Sequence, residues 1–197
     1  LATQFQVSRN VVREGLIILR DKGFISIHPG RGAFIKKPDP FMITSIMERI
    51  FQNYDTTIED ILEVREELEL SIIAKAVKAA DSYHIQKLYS LYHSMEEYKE
   101  DTNIFIKFDF EFHSTLAQAT NNQLFSILLN SFVEMTDNVL FAITRLTPET
   151  IIEAQKQHLH LIQAIEEKNQ HVAEKVMAGH MQVLRRDIES LKKRKLF

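Results

Sequence analysis

Asp109 and His113 stand four residues apart in the run FDFEFH. On a helix that spacing leaves two side chains about 40° apart on one face. An acid and an imidazole so placed can share a proton or occupy two positions on a divalent cation. Two later segments repeat the anomaly. In EAQKQHLHLIQAI the apolar stripe Ala154, Leu161, Ile162, Ile165 passes through His158, and in VAEKVMAGHMQVLRRDIESL the stripe Val172, Val176, Val183, Leu184, Ile188, Leu191 passes through His180. Burying one carboxylate and three imidazoles is costly unless they pair or coordinate a cation. Two readings stand side by side: a shared divalent-metal site built from facing helices, or separate hydrogen-bonded core residues. A lone histidine on an apolar stripe is more often the second, and Asp109 with His113 could equally be a buried hydrogen bond.

FDFEFH by itself alternates like a half-buried strand. Its flanks remove that reading, because Phe105, Phe108, Phe112, Leu116 and Ala119 recur at intervals of three and four. The longer window is helical, with Asp109 and His113 beside a phenylalanine stripe and Glu111 turned away. His160 points off the stripe of its segment, and His28, His84, His93 and His171 read as surface or helix-end residues.

Helical periodicity continues through most of the chain beyond residue 40, with helices expected at about 41–53, 57–80, 82–100, 103–120, 123–146, 148–168 and 170–194. Starts are signalled by Thr57 with Asp60 three residues on, by Asp81, and by Thr147 followed by Pro148. Helices without intervening strands predict an antiparallel bundle of six or seven members. No apolar run approaches the ~20 residues of a membrane span, no basic-then-apolar leader opens the sequence, and cysteine is absent. A cytoplasmic protein is expected.

The first forty residues differ in kind. They hold four of the five glycines (Gly15, Gly23, Gly30, Gly32) and three of the four prolines (Pro29, Pro38, Pro40), which places a boundary at KKPDP. Residues 1–37 carry seven basic and two acidic side chains, +5, so the net −3 leaves −8 on the remainder. A basic head on an acidic body implies that the head alone meets a polyanion. LATQF ends one helix, and Ser8 caps a second that runs to Gly23. FISIH and AFIK flank a PGRG turn. That order is a winged helix-turn-helix. Arg9 and Arg13 share a face of the second helix where they can reach a major groove, while Val12, Leu16 and Leu19 form the inward stripe. Gly30 and Arg31 offer a small backbone and a cation to a minor groove. The expected domains are a head at 1–37 lacking its first helix, a linker at 38–40 and a helical domain at 41–197. Because Leu1 falls inside the motif, native sequence is expected before it.

LATQFQVSRNVVREGLIILRDKGFISIHPGRGAFI resembles the DNA-binding domain of the GntR family of bacterial regulators, through its "SR..VRE.L..L...G....PGRG.F" skeleton. The resemblance implies that Arg9 and Arg13 contact bases or phosphates beside the Ser8 cap, with Gly30 and Arg31 at the wing tip. Asn10-Val11 replaces the commoner Thr-Pro, and Gly15 replaces Ala at up to ~1 kcal/mol of helix propensity. DFEFHSTLAQATNNQL, the following "H..L..AI" and a histidine twenty-two residues after the first of these resemble the FCD effector domain of the FadR subfamily. "E.R..LE" at Glu63 to Glu69 fits its opening helices, so the likeness runs over roughly residues 41 to 192. It implies metal ligands at Asp109, His113, His158 and His180, a zinc or nickel ion, and a small organic acid completing the shell. Arg65 is the candidate clamp for that carboxylate, since guanidinium binds carboxylates at two points. An exposed helix charge flanked by Glu63 and Glu66 is an equal reading.

The function expected is therefore a ligand-responsive, homodimeric transcription regulator binding double-stranded DNA. Two alternatives are a helical metal-dependent hydrolase, which lacks an evident general base near the four residues, and a metal-free regulator with a polar core.

Overall fold

The computed structural model describes residues 1–36, 41–146 and 149–193, with only the backbone described at 41, 50, 137–139, 142 and 144–146. The 38–40 linker, Lys37, the Thr147-Pro148 helix start and residues 194–197 lie outside the described residues. Chain contacts group into two compact units, Leu1–Ile46 and Met47–Phe197.

In the first unit, helix α1 (Ala2–Phe5) ends at Gln6 in the left-handed region, φ 53°. The Ser8 hydroxyl then accepts from the Val11 amide at 3.2 Å and starts α2 (Arg9–Asp21). This satisfies one of the amides that the first helical turn leaves unpaired. Strands β1 (Ile25–His28) and β2 (Gly32–Ile35) form an antiparallel hairpin in which Ile25 faces Ile35 and His28 faces Gly32. Gly30 at φ 71° and Gly32 at φ 102° take backbone conformations that side chains disfavour. The inward stripe expected on α2 holds only in part. Val12 and Leu16 are half-buried, but Leu19 is 41% exposed because a two-stranded hairpin is too small to cover the whole helix face.

Beyond the hairpin the structure is helical: α3 (Phe41–Asn53), α4 (Ile58–Ala79), α5 (Ser82–Glu97), α6 (Thr102–Ala119), α7 (Gln123–Leu146), α8 (Glu149–Glu166) and α9 (Gln170–Lys193). A full capping box opens α4, with Thr57 and Asp60 each bonding the other's backbone, and Asp81 and Asp101 cap α5 and α6. In the second unit α6 packs between α5 and α7, α4 lies against α9, and α8 bridges α5 and α9. Short connections between consecutive helices make this a bundle. FDFEFH lies within α6, where Phe105, Phe112, Leu116 and Ala119 are buried and Phe108 half-buried.

A continuous apolar core runs from Ile72, Ile73 and Leu88 through Phe112 and Leu116 to Leu161, Ile165 and Met177. On α9 the expected stripe holds at Val183, Ile188 and Leu191, which are buried, and at the half-buried Val176 and Leu184, but not in the first turn, where Ala173 is buried and Val172 is 39% exposed. Helix α9 packs against α4, α7 and α8, and these neighbours decide which side of its first turn faces inward. Among the described residues no helix is long and apolar enough to cross a membrane.

Leu88 has no exposed surface and belongs to the apolar core. Leu88→Ala is expected to cost about 2–5 kcal/mol of unfolding free energy. Thr57→Ala, which removes one half of the capping box, is expected to cost about 1 kcal/mol. Both are read from chemical denaturation.

Candidate metal centre

Three helices of the bundle bring the four titratable residues together. Asp109 and His113 come from α6, His158 from α8 and His180 from α9, and one ligating atom from each lies within 4.8 Å of the others. Ring centroids are 4.9 Å apart for His158 and His180, 5.2 Å for His113 and His180, and 5.7 Å for His113 and His158. Asp109 Oδ1 is 3.3 Å from His158 Nε2. Asp109, His113 and His158 are buried and His180 is half-buried, since α9 presents it at the edge of its inward face. Phe112 packs on His158 with centroids 4.4 Å apart, so an apolar ring walls one side.

The Nδ1 atom of each imidazole has an oxygen beside it: Gln155 Oε1 at 3.2 Å for His158, Gln157 Oε1 at 2.9 Å for His180, and Glu69 Oε1 at 3.0 Å for His113. The Glu69 contact is short but misaligned, leaving His113 Nδ1 without a well-formed hydrogen bond. Nε2 of both His113 and His158 is buried with no hydrogen-bond partner. Orphaned buried nitrogens of this kind carry a desolvation cost that a ligand offsets.

Helix α4 contributes a second charged pair that spacing alone did not single out in full. Leu62, Arg65, Glu69, Ile72, Ile73 and Ala76 form its buried face, with two charges set into an apolar stripe. That interruption was the available signal for Glu69. Arg65 is buried, which removes the exposed-charge reading. Its guanidinium donates to Thr136 Oγ1 at 3.1 Å and approaches Glu69 Oε1 at 3.6 Å, and its Nε has no hydrogen-bond partner. A cavity of about 30 Å³ is lined by Arg65, Asp109, Leu140, Ile151, His180 and Leu184. Glu111 is half-buried and outside the cluster, and His160, His28, His93 and His171 are exposed. His84 is half-buried beside the Asp81 cap at 2.6 Å.

Burial raises the Asp109 carboxyl above the ordinary carboxylate range. Burial would raise Glu69 too, but the charges of His113 and Arg65 outweigh it and hold Glu69 low. Burial pulls His113 down while Glu69 and Asp109 more than compensate, so it titrates above the ordinary imidazole value. His158, buried among the other imidazoles, falls well below that value, and burial together with the His113 charge pushes His180 down to about 3.

Among the candidate DNA-contacting residues, Arg9 and Arg13 are exposed on α2 and line a surface groove of about 350 Å³ with Val12, Leu16, Arg20 and Ile27. Gly30 and Arg31 occupy the hairpin tip, where the Arg31 amide donates to the His28 carbonyl at 3.0 Å.

The imidazole shifts fix the pH behaviour of metal-free protein. Below about 6.5 the unfolded chain takes protons on His158 and His180 that the folded chain refuses until far lower, to about 3 for His180, so their contribution destabilises as pH falls. His113, raised, stabilises below its unfolded value and loses that contribution only as pH rises through its folded value. Among the imidazoles two groups stand against one, and the raised Asp109 carboxyl, which takes its proton more readily folded than unfolded, opposes the two in the acid range; stability in chelator is expected to fall between pH 7 and 5 by chemical denaturation. A flat profile would contradict the buried neutral imidazoles.

The FCD domain model matches residues 60–183, and the model described as bacterial regulatory proteins, gntR family, matches residues 1–35. The Glc operon transcriptional activator of Escherichia coli (strain K12) is 25% identical over 199 residues, covering 97% of this chain and 78% of that protein. The HTH-type transcriptional regulator LutR of Bacillus subtilis (strain 168) is 27% identical over 184 residues, covering 91% and 79%. Among solved structures, Streptococcus agalactiae GntR superposes with a TM-score of 0.70 at 23% identity, over 94% of this chain and 85% of that one. Escherichia coli McbR/YncC superposes at 0.59 and 17% identity, over 98% and 84%, a likeness of fold. These domains and relatives are transcription regulators, not enzymes. The chain belongs to the GntR family of bacterial DNA-binding transcription regulators, joining the family's winged helix-turn-helix head to an FCD domain.

Proposed function

We propose that the FCD domain binds one divalent metal ion, zinc or nickel, on Asp109, His113, His158 and His180, and a small organic acid whose carboxylate faces Arg65. The observation that carries this reading is the pair of buried, partnerless Nε2 atoms on His113 and His158 inside a cluster only 4.8 Å across. Three imidazoles and a carboxylate suit zinc or nickel, and a span of two bonds of about 2.1 Å is near enough to 4.8 Å that side-chain adjustment closes it. Such an ion would supply a fixed positive charge and a coordination position open to an oxygen ligand.

Arg65 supports the acid half of the reading. Its guanidinium borders the same cavity as Asp109 and His180, and its unpartnered Nε is free to bond an incoming oxygen. About 30 Å³ holds roughly two waters. An organic acid therefore enters only if helices bordering the cavity move, which ties occupancy to a change in the bundle. A ligand shifts a conformational equilibrium only by binding one state better, and the tight cavity provides that difference.

In the head, we propose that Arg9 and Arg13 read or anchor DNA from the start of α2, positioned by the Ser8 cap, while Gly30 and Arg31 enter a minor groove. The head at 1–37, a linker at 38–40 and the helical domain at 41–197 form the proposed domain plan. Two chains would pair as a homodimer on the halves of a near-palindromic operator.

Zinc or nickel at 100 times its Kd is expected to stabilise the protein by about 2.7 kcal/mol. His158→Ala removes that gain, as denaturation with and without metal will show; equal gains in both proteins would leave the polar cluster as a packing device. In operator retardation assays on the intact regulator across small carboxylic acids, the His158→Ala protein is expected to bind DNA but lose the acid response. Arg13→Ala is expected to weaken DNA binding and flatten its salt dependence.

A further inference from the structure

We propose that Gln155 and Glu96 are positioning residues that dictate, from the protein surface inward, which nitrogen of His158 is free to bind a metal; the proposal rests on the metal reading above. A glutamine side chain has a donor end and an acceptor end of nearly the same shape, so only its neighbours decide which way it points. On one side of Gln155 stand two groups that can only accept: the Tyr92 backbone carbonyl at 3.3 Å and the Glu96 carboxylate at 2.9 Å. The amide NH2 must face them. Gln155 Oε1 must then face His158 Nδ1 at 3.2 Å, and that nitrogen must carry the ring proton. In a neutral imidazole the lone pair is left on Nε2, the atom 3.3 Å from Asp109 Oδ1 that has no hydrogen-bond partner. Reversing the amide would set its oxygen against a carboxylate and a carbonyl and turn a ring N–H toward the other ligands.

The chain has a buried end and an open end. Gln155 is 3% exposed, whereas the Glu96 side chain is 39% exposed and lies 3.8 Å from Lys99. Gln155 and Glu96 both border an outer groove of about 300 Å³ with Tyr92, Lys99 and Ile152. A surface carboxylate that touches none of the four ligands thus selects the tautomer of one of them. Outer partners of ligating histidines fix ring orientation and tautomer in this manner.

Two readouts test this. Imidazole 15N shifts of His158 in metal-free protein at neutral pH are expected to report an Nδ1–H tautomer in the parent and in Glu96→Gln, which keeps an acceptor. In Glu96→Lys they are expected to move toward Nε2–H, because an ammonium group presents only donors to the amide. Zinc affinity by chelator competition is expected to fall about 10–100-fold in Gln155→Leu and Glu96→Lys and to change less than about threefold in Glu96→Gln. Unchanged metal-free melting separates this from misfolding, and the exposed Glu96 position serves if Gln155→Leu does not fold. An Nε2–H ring in the parent, or parental zinc affinity in both Gln155→Leu and Glu96→Lys, would overturn the proposal. Should the parent bind neither zinc nor nickel, the metal reading fails while the ring shifts still decide the role of Glu96.

Discussion

The bundle is organised around one loosely made contact, Glu69 Oε1 set 3.0 Å from His113 Nδ1 and 3.6 Å from the Arg65 guanidinium. Taking ions out of water costs several kcal/mol each, and pairing returns that only when geometry is good. Here the geometry is incomplete: both Glu69 oxygens, Arg65 Nε and His113 Nδ1 lack well-formed hydrogen bonds. Stability therefore comes from the apolar layers around this centre, Ile72, Leu88, Phe112, Leu161 and Met177 among them. The centre itself is polar and under-bonded.

That arrangement explains the division of labour between helices. Helix α6 brings Asp109 and His113 with Phe112 between them, so the polar pair and one of its dry walls come from little more than one helical turn. Helix α4 adds the compensating charges. Helices α8 and α9 each add one imidazole, and α8 also supplies both glutamines beside their Nδ1 atoms, Gln155 for its own His158 and Gln157 for His180 of α9. Low local dielectric strengthens every such contact and equally raises the cost of each unmade one.

What could be read in the sequence was what is local. The i,i+4 placement of Asp109 and His113, the caps at Ser8, Thr57 and Asp81, and the apolar stripe through His158 all lie within single segments, and the structure has them. What escaped depends on how segments dock. Glu69 showed in the sequence as part of a family pattern and as a charge interrupting an apolar stripe, but its role arises from His113 on another helix. Gln155 reads as an ordinary polar residue until Glu96, fifty-nine positions away, is placed beside it. The inward face of α9 was misjudged at Val172 because periodicity gives the width of a stripe but not which neighbours it will meet. In the head, Leu19 was expected inside on the same reasoning, yet the hairpin leaves it exposed.

The smallness of the cavity also has a consequence in time. Phe112 closes one side of His158, and among the described residues the space beside His180 is about 30 Å³; were that the way in, a hydrated ion or a chelator would need the bordering helices to part. Exchange at the centre would then run at the rate at which helices part, not at the rate of diffusion or of bond breaking. A metal site of that kind would keep a memory: its occupancy would reflect what the cell contained at the last opening, and the bundle's own breathing would set how quickly that record is rewritten.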